Sequence, residues 1–445
     1  ILRNIEEVIA GGNADTLLGD DGGNLFRGGA GADTLDGRGG RDWADYTGSD
    51  AGVTVDLGGT QDSDGYISAS GGHATGDKLK NMEHIIGSDH ADTLTGDAGN
   101  NLFRGGAGAD SLDGGDGRDR LDYSTSDAGV TVSLVDGTVN SGGHAQGDRT
   151  TGFENIIGSA FADTLTGNNS KNVFIGGAGA DTINGGDGQG DDHRDTVNYR
   201  HSDAAVRVDL ATQRKTGAGQ WETDTTRVDA NGFVTARGGH AEGDKLKNVE
   251  HIIGSAFDDV LKGHRRTNDS DGHNTFRGGE GADRIYGRGG RDTADYRDSR
   301  EGVTVSLVDG TVNSGGTAEG DRLYSIERLR GSRFADTLTG DDGSNRIRGE
   351  GGADTLTGGG SSDYDTFVFK EDWADGTVIT DLDVDFDIIH YSGLDLDDLT
   401  IATHDRDGDG ENDSTTITLN GNALVLWDVD DEDLSESTIL SLFVV

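Results

Sequence analysis

Apolar residues recur at every ninth position along most of this chain, and mostly polar and glycine residues separate them. The clearest nine-residue block, residues 28–36, has the form G-G-x-G-x-D-x-U-x, where U is an apolar residue predicted to be buried. Three neighbouring blocks, residues 10–18, 19–27 and 37–45, run in the same phase. This period predicts a turn over positions one to six of each block and a short strand over positions seven to nine.

The position-eight residues are predicted to point inward and stack, because two blocks make one coil of a parallel β-roll. Tyrosines that end the runs of blocks (Tyr46, Tyr123, Tyr199 and Tyr296) are predicted to cap this apolar column. The predicted column consists of Leu17, Phe26, Leu35, Leu94, Phe103, Leu112, Leu121, Leu165, Phe174, Ile183, Leu261, Phe276, Ile285, Leu338, Ile347 and Leu356.

A longer repeat contains these blocks. Residues 80–88 recur as 152–159, 247–255 and 324–332, and nonapeptide blocks follow each copy. Repetition on this scale is typical of a solenoid or an array of stacked modules. We predict five repeat units, at residues 1–78, 79–149, 150–245, 246–322 and 323–370, with insertions near 189–193, 213–234 and 265–271.

The pattern changes in the last part of the chain, where residues 371–445 are predicted to form a separate C-terminal domain. Alternating apolar and polar residues predict strands at 366–369, 377–380, 387–391, 415–419 and 423–426. Residues 430–434 and 438–442 suggest a short helical stretch.

Net charge adds a requirement for cations. The chain has 37 Lys and Arg against 83 Asp and Glu, a formal charge of −46, which argues against nucleic acid or anionic membranes as partners. Only 31% of the residues are hydrophobic, and low apolarity with high charge is typical of disorder. Divalent cations would neutralise the carboxylates, so we expect a mostly unfolded chain without them. Cysteine is absent, and no apolar stretch is long enough to span a membrane.

The turn residues have the chemistry of calcium ligands. Glycine at positions one, two and four permits backbone angles that let carbonyl oxygens point inward, and aspartate at position six adds a carboxylate oxygen. Calcium accepts about six to eight oxygen ligands in loose geometry, whereas magnesium demands a stricter octahedron. A metal-free Asx turn is the alternative for an isolated block, but many blocks in register favour calcium.

Ligands 18 residues apart are predicted to stack on one edge of the roll. On the first edge the predicted pairs are Asp15 with Asp33, Asp92 with Asp110, Asp163 with Asp181, Asp259 with Asp283 (after an insertion) and Asp336 with Asp354. On the opposite edge they are Asn24 with Asp42, Asn101 with Asp119, Asn172 with Asp195 (after an insertion), Asn274 with Asp292 and Asn345 with Asp363.

Two groups of polar residues leave alternatives open. The asparagines add no charge, so we expect their turns to bind calcium weakly or to use the amide only to close the turn. The acids that follow the glycine-rich loops are either further calcium ligands or loop caps. These acids are Asp77, Asp148, Asp244 and Asp321.

Residues 405–413 form another candidate calcium loop. They resemble the first nine positions of an EF-hand loop, but Thr416 stands where a bidentate glutamate is required. Calcium binding and a solvated acidic turn both remain open. The candidate ligands are Asp405, Asp407, Asp409 and Asp413.

The tandem blocks resemble the RTX, or haemolysin-type, calcium-binding repeats of bacterial proteins exported by type I secretion. The resemblance implies a parallel β-roll that binds calcium between successive coils and folds on extracellular calcium. Residues 363–389 and the apolar end of the chain resemble the uncleaved secretion-signal region of such proteins. The first block of several repeat units departs from the pattern, because Ser88 and His90 replace glycines there. These first turns are therefore expected to be half-sites or turns that open each run.

Together these features predict an all-β, elongated solenoid of tandem parallel β-roll modules with a β-rich C-terminal secretion domain. We expect a secreted, extracellular or cell-surface calcium-binding structural protein of the adhesin, surface-layer or filament type, without enzymatic activity. The alternative is the non-catalytic C-terminal region of a secreted protease, lipase or polysaccharide-modifying enzyme. Expected partners are calcium ions and the type I secretion machinery, with extracellular polysaccharide or self-assembly as further candidates. Because Ile1 begins inside a repeat unit, we also expect a longer parent protein.

Overall fold

The chain forms two compact units of short β-strands. The computed structural model describes residues 5–186, 194–215, 221–265, 272–360, 363–369, 376–383, 386–391, 400–404, 414–419, 422–427 and 443–444. One unit comprises Ile1–Tyr199 with Thr235–Val249, and the other comprises Arg200–Val234 with Glu250–Val445. Among the described residues, no helix has the length and apolar character needed to cross a bilayer.

Most strands are three residues long, and 3-10 turns occur at Gly72–Ala74, Gly143–Ala145, Gly239–Ala241 and Gly316–Ala318. The first strands are β1 (Glu7–Ile9), β2 (Thr16–Leu18), β3 (Leu25–Arg27), β4 (Thr34–Asp36), β5 (Trp43–Asp45), β6 (Thr54–Asp56), β7 (Ile67–Ser68), β8 (Lys78–Lys80), β9 (His84–Ile86), β10 (Thr93–Thr95), β11 (Leu102–Arg104), β12 (Ser111–Asp113), β13 (Arg120–Asp122), β14 (Thr131–Ser133), β15 (Arg149–Thr151), β16 (Asn155–Ile157), β17 (Thr164–Thr166), β18 (Val173–Ile175), β19 (Thr182–Asn184) and β20 (Thr196–Asn198). The later strands are β21 (Arg207–Asp209), β22 (Gln213–Lys215), β23 (Trp221–Thr223), β24 (Val234–Thr235), β25 (Lys245–Lys247), β26 (His251–Ile253), β27 (Val260–Lys262), β28 (Thr275–Arg277), β29 (Arg284–Tyr286), β30 (Thr293–Asp295), β31 (Thr304–Ser306), β32 (Arg322–Tyr324), β33 (Arg328–Arg330), β34 (Thr337–Thr339), β35 (Arg346–Arg348), β36 (Thr355–Thr357), β37 (Thr366–Phe369), β38 (Thr377–Ile379), β39 (Ile388–Tyr391), β40 (Thr400–His404), β41 (Ser414–Leu419), β42 (Asn422–Trp427) and β43 (Phe443–Val444).

The nonapeptide period matches the strands block by block. Strands β2, β3, β4 and β5 occupy positions seven to nine of the four blocks in residues 10–45. Thr16 pairs with Thr34 and Leu25 with Trp43 in parallel register, so strands 18 residues apart are neighbours. The predicted position-eight residues are buried, apart from Leu17, which is half-buried in the first coil. The predicted parallel β-roll is therefore confirmed.

The two faces of the roll differ in the first compact unit. One face is an unbroken run of parallel neighbours, β1-β3-β5-β9-β11-β13-β16-β18-β20. The opposite face is divided into separate sheets, β2-β4-β8-β7, β6-β10-β12-β15 and β14-β17-β19-β25-β24. The inserted strands β6 and β7 explain the division, because β7 ends one sheet antiparallel to β8 and β6 begins the next. The insertions thus interrupt only one face of the roll.

The second compact unit repeats this plan. Its unbroken face is β26-β28-β30-β33-β35-β37-β39-β43. The divided face consists of β21-β27-β29-β32 and β31-β34-β36-β38-β42-β41-β40. Within the insertion at 213–234, β22 and β23 form an antiparallel pair.

The predicted C-terminal strands are present as β37, β38, β39, β41 and β42. They continue the roll, because β39 pairs in parallel with β37, and β42 pairs in parallel with β38. Strands β40, β41 and β42 add an antiparallel edge. The helical stretches predicted at 430–434 and 438–442 lie outside the described residues, as does the insertion at 189–193.

Candidate metal centres

Asp110 shows how the roll holds a position-six aspartate. Its Oδ1 accepts the backbone N–H of Asp92, one coil earlier, at 2.9 Å. Its Oδ2 is buried and has no hydrogen-bond partner, although a buried carboxylate oxygen ordinarily has one. The same geometry, with Oδ1 bonded to the preceding coil and Oδ2 without a partner, recurs at Asp33, Asp42, Asp119, Asp181 and Asp283.

Position-one glycines keep space open beside these oxygens. A Cβ on Gly105 would lie under 3.0 Å from Oδ2 of Asp110, closer than real Cβ atoms approach such an atom. A Cβ on Gly87 would collide both with a carboxylate oxygen of Asp92 and with the carbonyl oxygen of Gly105. The glycines therefore form a cradle in which carboxylate and carbonyl oxygens converge.

Burial makes these carboxylates costly to ionise without a cation. Burial, and then the negative charge of Asp148, raise the pKa of Asp110 to about 8. The pKa of Asp181 is raised to about 8 and that of Asp283 to about 9 for the same reasons, with Asp244 and Asp321 as the neighbouring charges. A bound cation would compensate the lost hydration of each carboxylate.

The donor set fits calcium. Carboxylate and carbonyl oxygens are hard ligands, and calcium accepts several of them in flexible geometry. Among the described residues, no group of three or more His, Cys, Asp and Glu side chains could hold a metal ion. Backbone carbonyls that face the same space, such as that of Gly105, would supply further oxygen ligands.

The first-block aspartates are engaged differently. Asp92 accepts the N–H and the hydroxyl of Ser88 at 2.6 and 2.9 Å, and it accepts the N–H of Val53 at 2.7 Å. The hydroxyl of Ser88, the residue that departs from the repeat, thus adds a donor that glycine at this position lacks. Asp163, Asp259 and Asp336 repeat this arrangement. These turns open each run with both carboxylate oxygens already hydrogen-bonded.

The second-block asparagines close their own turns. Oδ1 of Asn101 accepts the N–H of Asp97 at 2.9 Å, and its Nδ2 donates to the carbonyl of Glu83 at 3.0 Å. Its N–H donates to Oδ1 of Asp119 at 2.7 Å. Asn24, Asn172, Asn274 and Asn345 likewise accept an N–H from four or ten residues earlier. The turn-closing contact is therefore present, and weak calcium binding by these amides stays a prediction.

The acids after the glycine-rich loops are hydrogen-bonded at both oxygens. Oδ1 of Asp148 accepts the N–H of Asp110 at 2.9 Å, and Oδ2 accepts the buried hydroxyl of Tyr123 at 2.8 Å. Asp77, Asp244 and Asp321 make the same contacts with Tyr46, Tyr199 and Tyr296. The geometry favours the loop-capping role, and the tyrosines close each run as predicted.

On the opposite edge, the structure agrees with one predicted pairing and differs from another. Asp195 accepts the N–H of Asn172 at 2.8 Å, as predicted. The predicted pairing of Asn345 with Asp363 is wrong, because its N–H donates to Asp365 at 2.8 Å. Thr366 of β37 pairs with Arg346, which lies 20 residues earlier instead of 18. The two additional residues lie in the turn before β37, so Asp365 occupies position six.

Asp387, which sequence analysis missed as a ligand, continues this edge by accepting the N–H of Asp365 at 3.0 Å. The sequence signal was present, since Asp387 precedes the apolar pair of β39 as a position-six residue precedes its strand.

The remaining predicted ligands are placed as follows. Asp15 lies in the first coil, where its N–H donates to Asp33. Asp354 accepts the N–H of Asp336, and Asp292 accepts that of Asn274. Asp405, Asp407, Asp409 and Asp413 lie outside the described residues.

Short parallel strands joined by glycine-rich turns, with buried carboxylates facing carbonyl oxygens, define a metal-binding parallel β-roll. The family model of the RTX calcium-binding nonapeptide repeat matches residues 9–44, 86–121, 150–183, 157–192, 268–296 and 330–365. These segments of the chain therefore carry RTX calcium-binding nonapeptide repeats.

The comparison with individual proteins is less informative. No curated protein matches the chain. The solved structures that match include the extracellular lipase LipA from Serratia marcescens, with 15% sequence identity and a TM-score of 0.18. This match covers 80% of the chain and 40% of the lipase, so the chain spans less than half of that protein's length.

Proposed function

We propose that this chain is a secreted structural protein of the bacterial surface or extracellular matrix, of the adhesin, surface-layer or filament type, that folds on extracellular calcium. The observation that carries the proposal is the repeated buried carboxylate with one oxygen bonded to the preceding coil and the other without a partner. Such oxygens, raised in pKa by burial, are costly in a metal-free fold.

Calcium provides the coupling between export and folding. An ion that binds only the folded chain stabilises it by mass action, and neutralised carboxylates relieve the repulsion within a chain of net charge −46. Where calcium is scarce, as in the cytosol, the chain would stay unfolded and fit for passage through an export channel. Outside the cell, millimolar calcium would fold it.

The proposed role is not catalytic. The conspicuous buried acids of the described residues serve as turn ligands, as caps hydrogen-bonded to tyrosine, or as acceptors for serine. A structural role uses all of these contacts. The non-catalytic region of a secreted enzyme stays the alternative prediction from the sequence.

Calcium titration followed by far-ultraviolet circular dichroism tests the proposal. We expect the metal-depleted chain to give a largely disordered spectrum, and calcium to restore a β-sheet signal that chelator removes. Magnesium at the same concentration is the control, and it should restore much less signal because its stricter geometry suits the turns poorly. A full β-sheet spectrum without calcium would overturn calcium-dependent folding.

Light scattering on the calcium-loaded chain tests the structural role. Assembly of the folded chain into larger particles would support a filament or surface-layer function. A strictly monomeric chain that acquires hydrolytic activity only when joined to an upstream domain would contradict it and favour the enzyme-tail alternative.

A further inference from the structure

Three of the nonapeptide runs end beside a glutamate that stands where the repeat would have a position-six aspartate. Oε2 of Glu83 accepts the N–H of Asp42 at 2.9 Å, and Oε2 of Glu154 accepts that of Asp119 at 2.8 Å. Glu327 repeats the contact with Asp292 at 2.8 Å. Glu83 and Glu327 lie outside the segments that match the family model. The last turn of a run is thus stacked on a coil that is not a nonapeptide.

Two of these aspartates, Asp42 and Asp119, have an oxygen without a hydrogen-bond partner. Asp42 and Asp119 are both fully buried, at 0% exposure, and Oδ2 of each lacks a partner. Their Oδ1 atoms are already used, since they accept the N–H of Asn24 and Asn101 at 2.7 Å. Oδ2 is therefore the atom left for a ligand.

A carbonyl oxygen faces the same space. A Cβ on Gly114 would lie 2.3 Å from the carbonyl oxygen of Gly152 and 2.8 Å from Oδ2 of Asp119 in a space that glycine leaves open. Gly37 has the same relation to the carbonyl of Asn81 and to Asp42. Asn81 has a φ of 52°, in the left-handed region that is unusual for residues other than glycine. Asn81 and Gly152 occupy equivalent places in two repeats. In both repeats the carbonyl oxygen of this residue lies beside the buried carboxylate.

We propose that Asp119, Glu154 and the carbonyl of Gly152 form a divalent-cation site, and that Asp42, Glu83 and the carbonyl of Asn81 form its equivalent. We call these the junction sites. The Asp292 and Glu327 pair forms a third.

Charge distinguishes the junction sites from the turns below them on the same edge. Within the run, the position-six residue stacked on Asp119 is the neutral Asn101, whose backbone N–H donates to Asp119, whereas at the junction the stacked residue is a second carboxylate, Glu154. Calcium affinity rises with the number of charged ligands, so the junction sites are expected to bind calcium most tightly on this edge. The inference rests on the calcium-dependent folding proposed above, because the same ion fills both kinds of site.

Replacement of the glutamates by glutamine separates ligation from simple capping. In the full chain, Glu83→Gln, Glu154→Gln and Glu327→Gln together keep an acceptor for each N–H but remove the charge. We expect the affinity of one calcium equivalent per junction to fall by about tenfold or more, measured by calorimetry with free calcium held by chelator buffers. Glu242→Gln is the matched control, because Oε2 of Glu242 accepts the N–H of Gly238 at 2.8 Å in an exposed loop.

The outcomes are distinct. Unchanged calcium affinities and stoichiometry in the triple variant would overturn the junction sites, while wild-type chain that binds no calcium would overturn the proposed function itself. If the triple variant does not reach the wild-type circular dichroism at saturating calcium, Glu154→Gln alone is titrated in the same way. The weakening or loss of one equivalent then supports the site, and an unchanged count overturns it.

Discussion

At the scale of single residues, one carboxylate geometry serves three chemical purposes. Each position-six aspartate accepts an N–H from the preceding coil, and the partner of its second oxygen decides its role. The backbone N–H of Ser88 supplies that partner at Asp92, the phenol of Tyr123 supplies it at Asp148, and Asp110 between them has none. Burial raises the pKa of Asp148 to about 6, opposed by the hydrogen bonds from the Asp110 N–H and the Tyr123 phenol, while burial and the charge of Asp148 raise the pKa of Asp110 to about 8.

Tyr123→Phe tests whether the phenol replaces a cation at the end of a run. The variant removes the hydroxyl that donates to Oδ2 of Asp148 at 2.8 Å, and the loss of a partner for a buried carboxylate oxygen costs about 1–3 kcal/mol. We expect a lower denaturant midpoint in saturating calcium. Tyr364→Phe is the control, because Tyr364 is 60% exposed and should tolerate the loss of its hydroxyl. Equal midpoints for Tyr123→Phe and wild type would show that the phenol contributes nothing.

At the scale of elements, sequence periodicity predicted most of the strands and their register. A nine-residue period leaves only one way to bury position eight in a two-block coil, so β2 had to lie beside β4. The period could not locate Asp365, because a turn can absorb added residues while the strand after it keeps its register. It also could not decide the role of Asp148, whose partner Tyr123 is 25 residues away in the chain.

The sequence also did not predict that one face of the roll, which contains β5 and β9, is continuous. The repeat boundary near residue 78 looked like a break between modules, yet Trp43 of β5 pairs directly with His84 of β9. The inserted strands take part only in the opposite face, and local alternation of apolar residues does not reveal which face a strand joins.

Gly105→Ala tests the glycine cradle. Its φ lies outside the left-handed range, so alanine meets no backbone penalty, but the added Cβ would overlap Oδ2 of Asp110. Overpacking of this kind costs about 1–3 kcal/mol, and it also obstructs the calcium position. We expect the calcium concentration at half-folding, followed by circular dichroism, to rise. Gly48→Ala is the control, because nothing lies within 4 Å of a Cβ there. A calcium midpoint that is unchanged in Gly105→Ala would rule out the cradle.

At the scale of the whole molecule, protons and calcium compete for the same carboxylates. The net charge of −46 and the buried acids both oppose folding at neutral pH when no cation is bound. Either a proton or a calcium ion on each buried carboxylate relieves this opposition. The two ligands should therefore substitute for each other in part.

This competition predicts a pH dependence that calcium abolishes. The pKa of Asp110 is about 8 in the folded chain, through burial and the charges of Asp148 and Asp92, and lies near its ordinary value in the unfolded chain. A raised folded-state pKa contributes stability that is full below the unfolded value and is lost as pH rises through about 8. In metal-depleted protein, the β-sheet signal should therefore increase as pH falls from about 8 to about 5, a limit that stays above the isoelectric point near 4.3. In saturating calcium the signal should be nearly constant over this range, because the ion has taken the place of the protons. A metal-free chain whose β-sheet signal declines toward pH 5 would contradict the coupling of these buried carboxylates to folding.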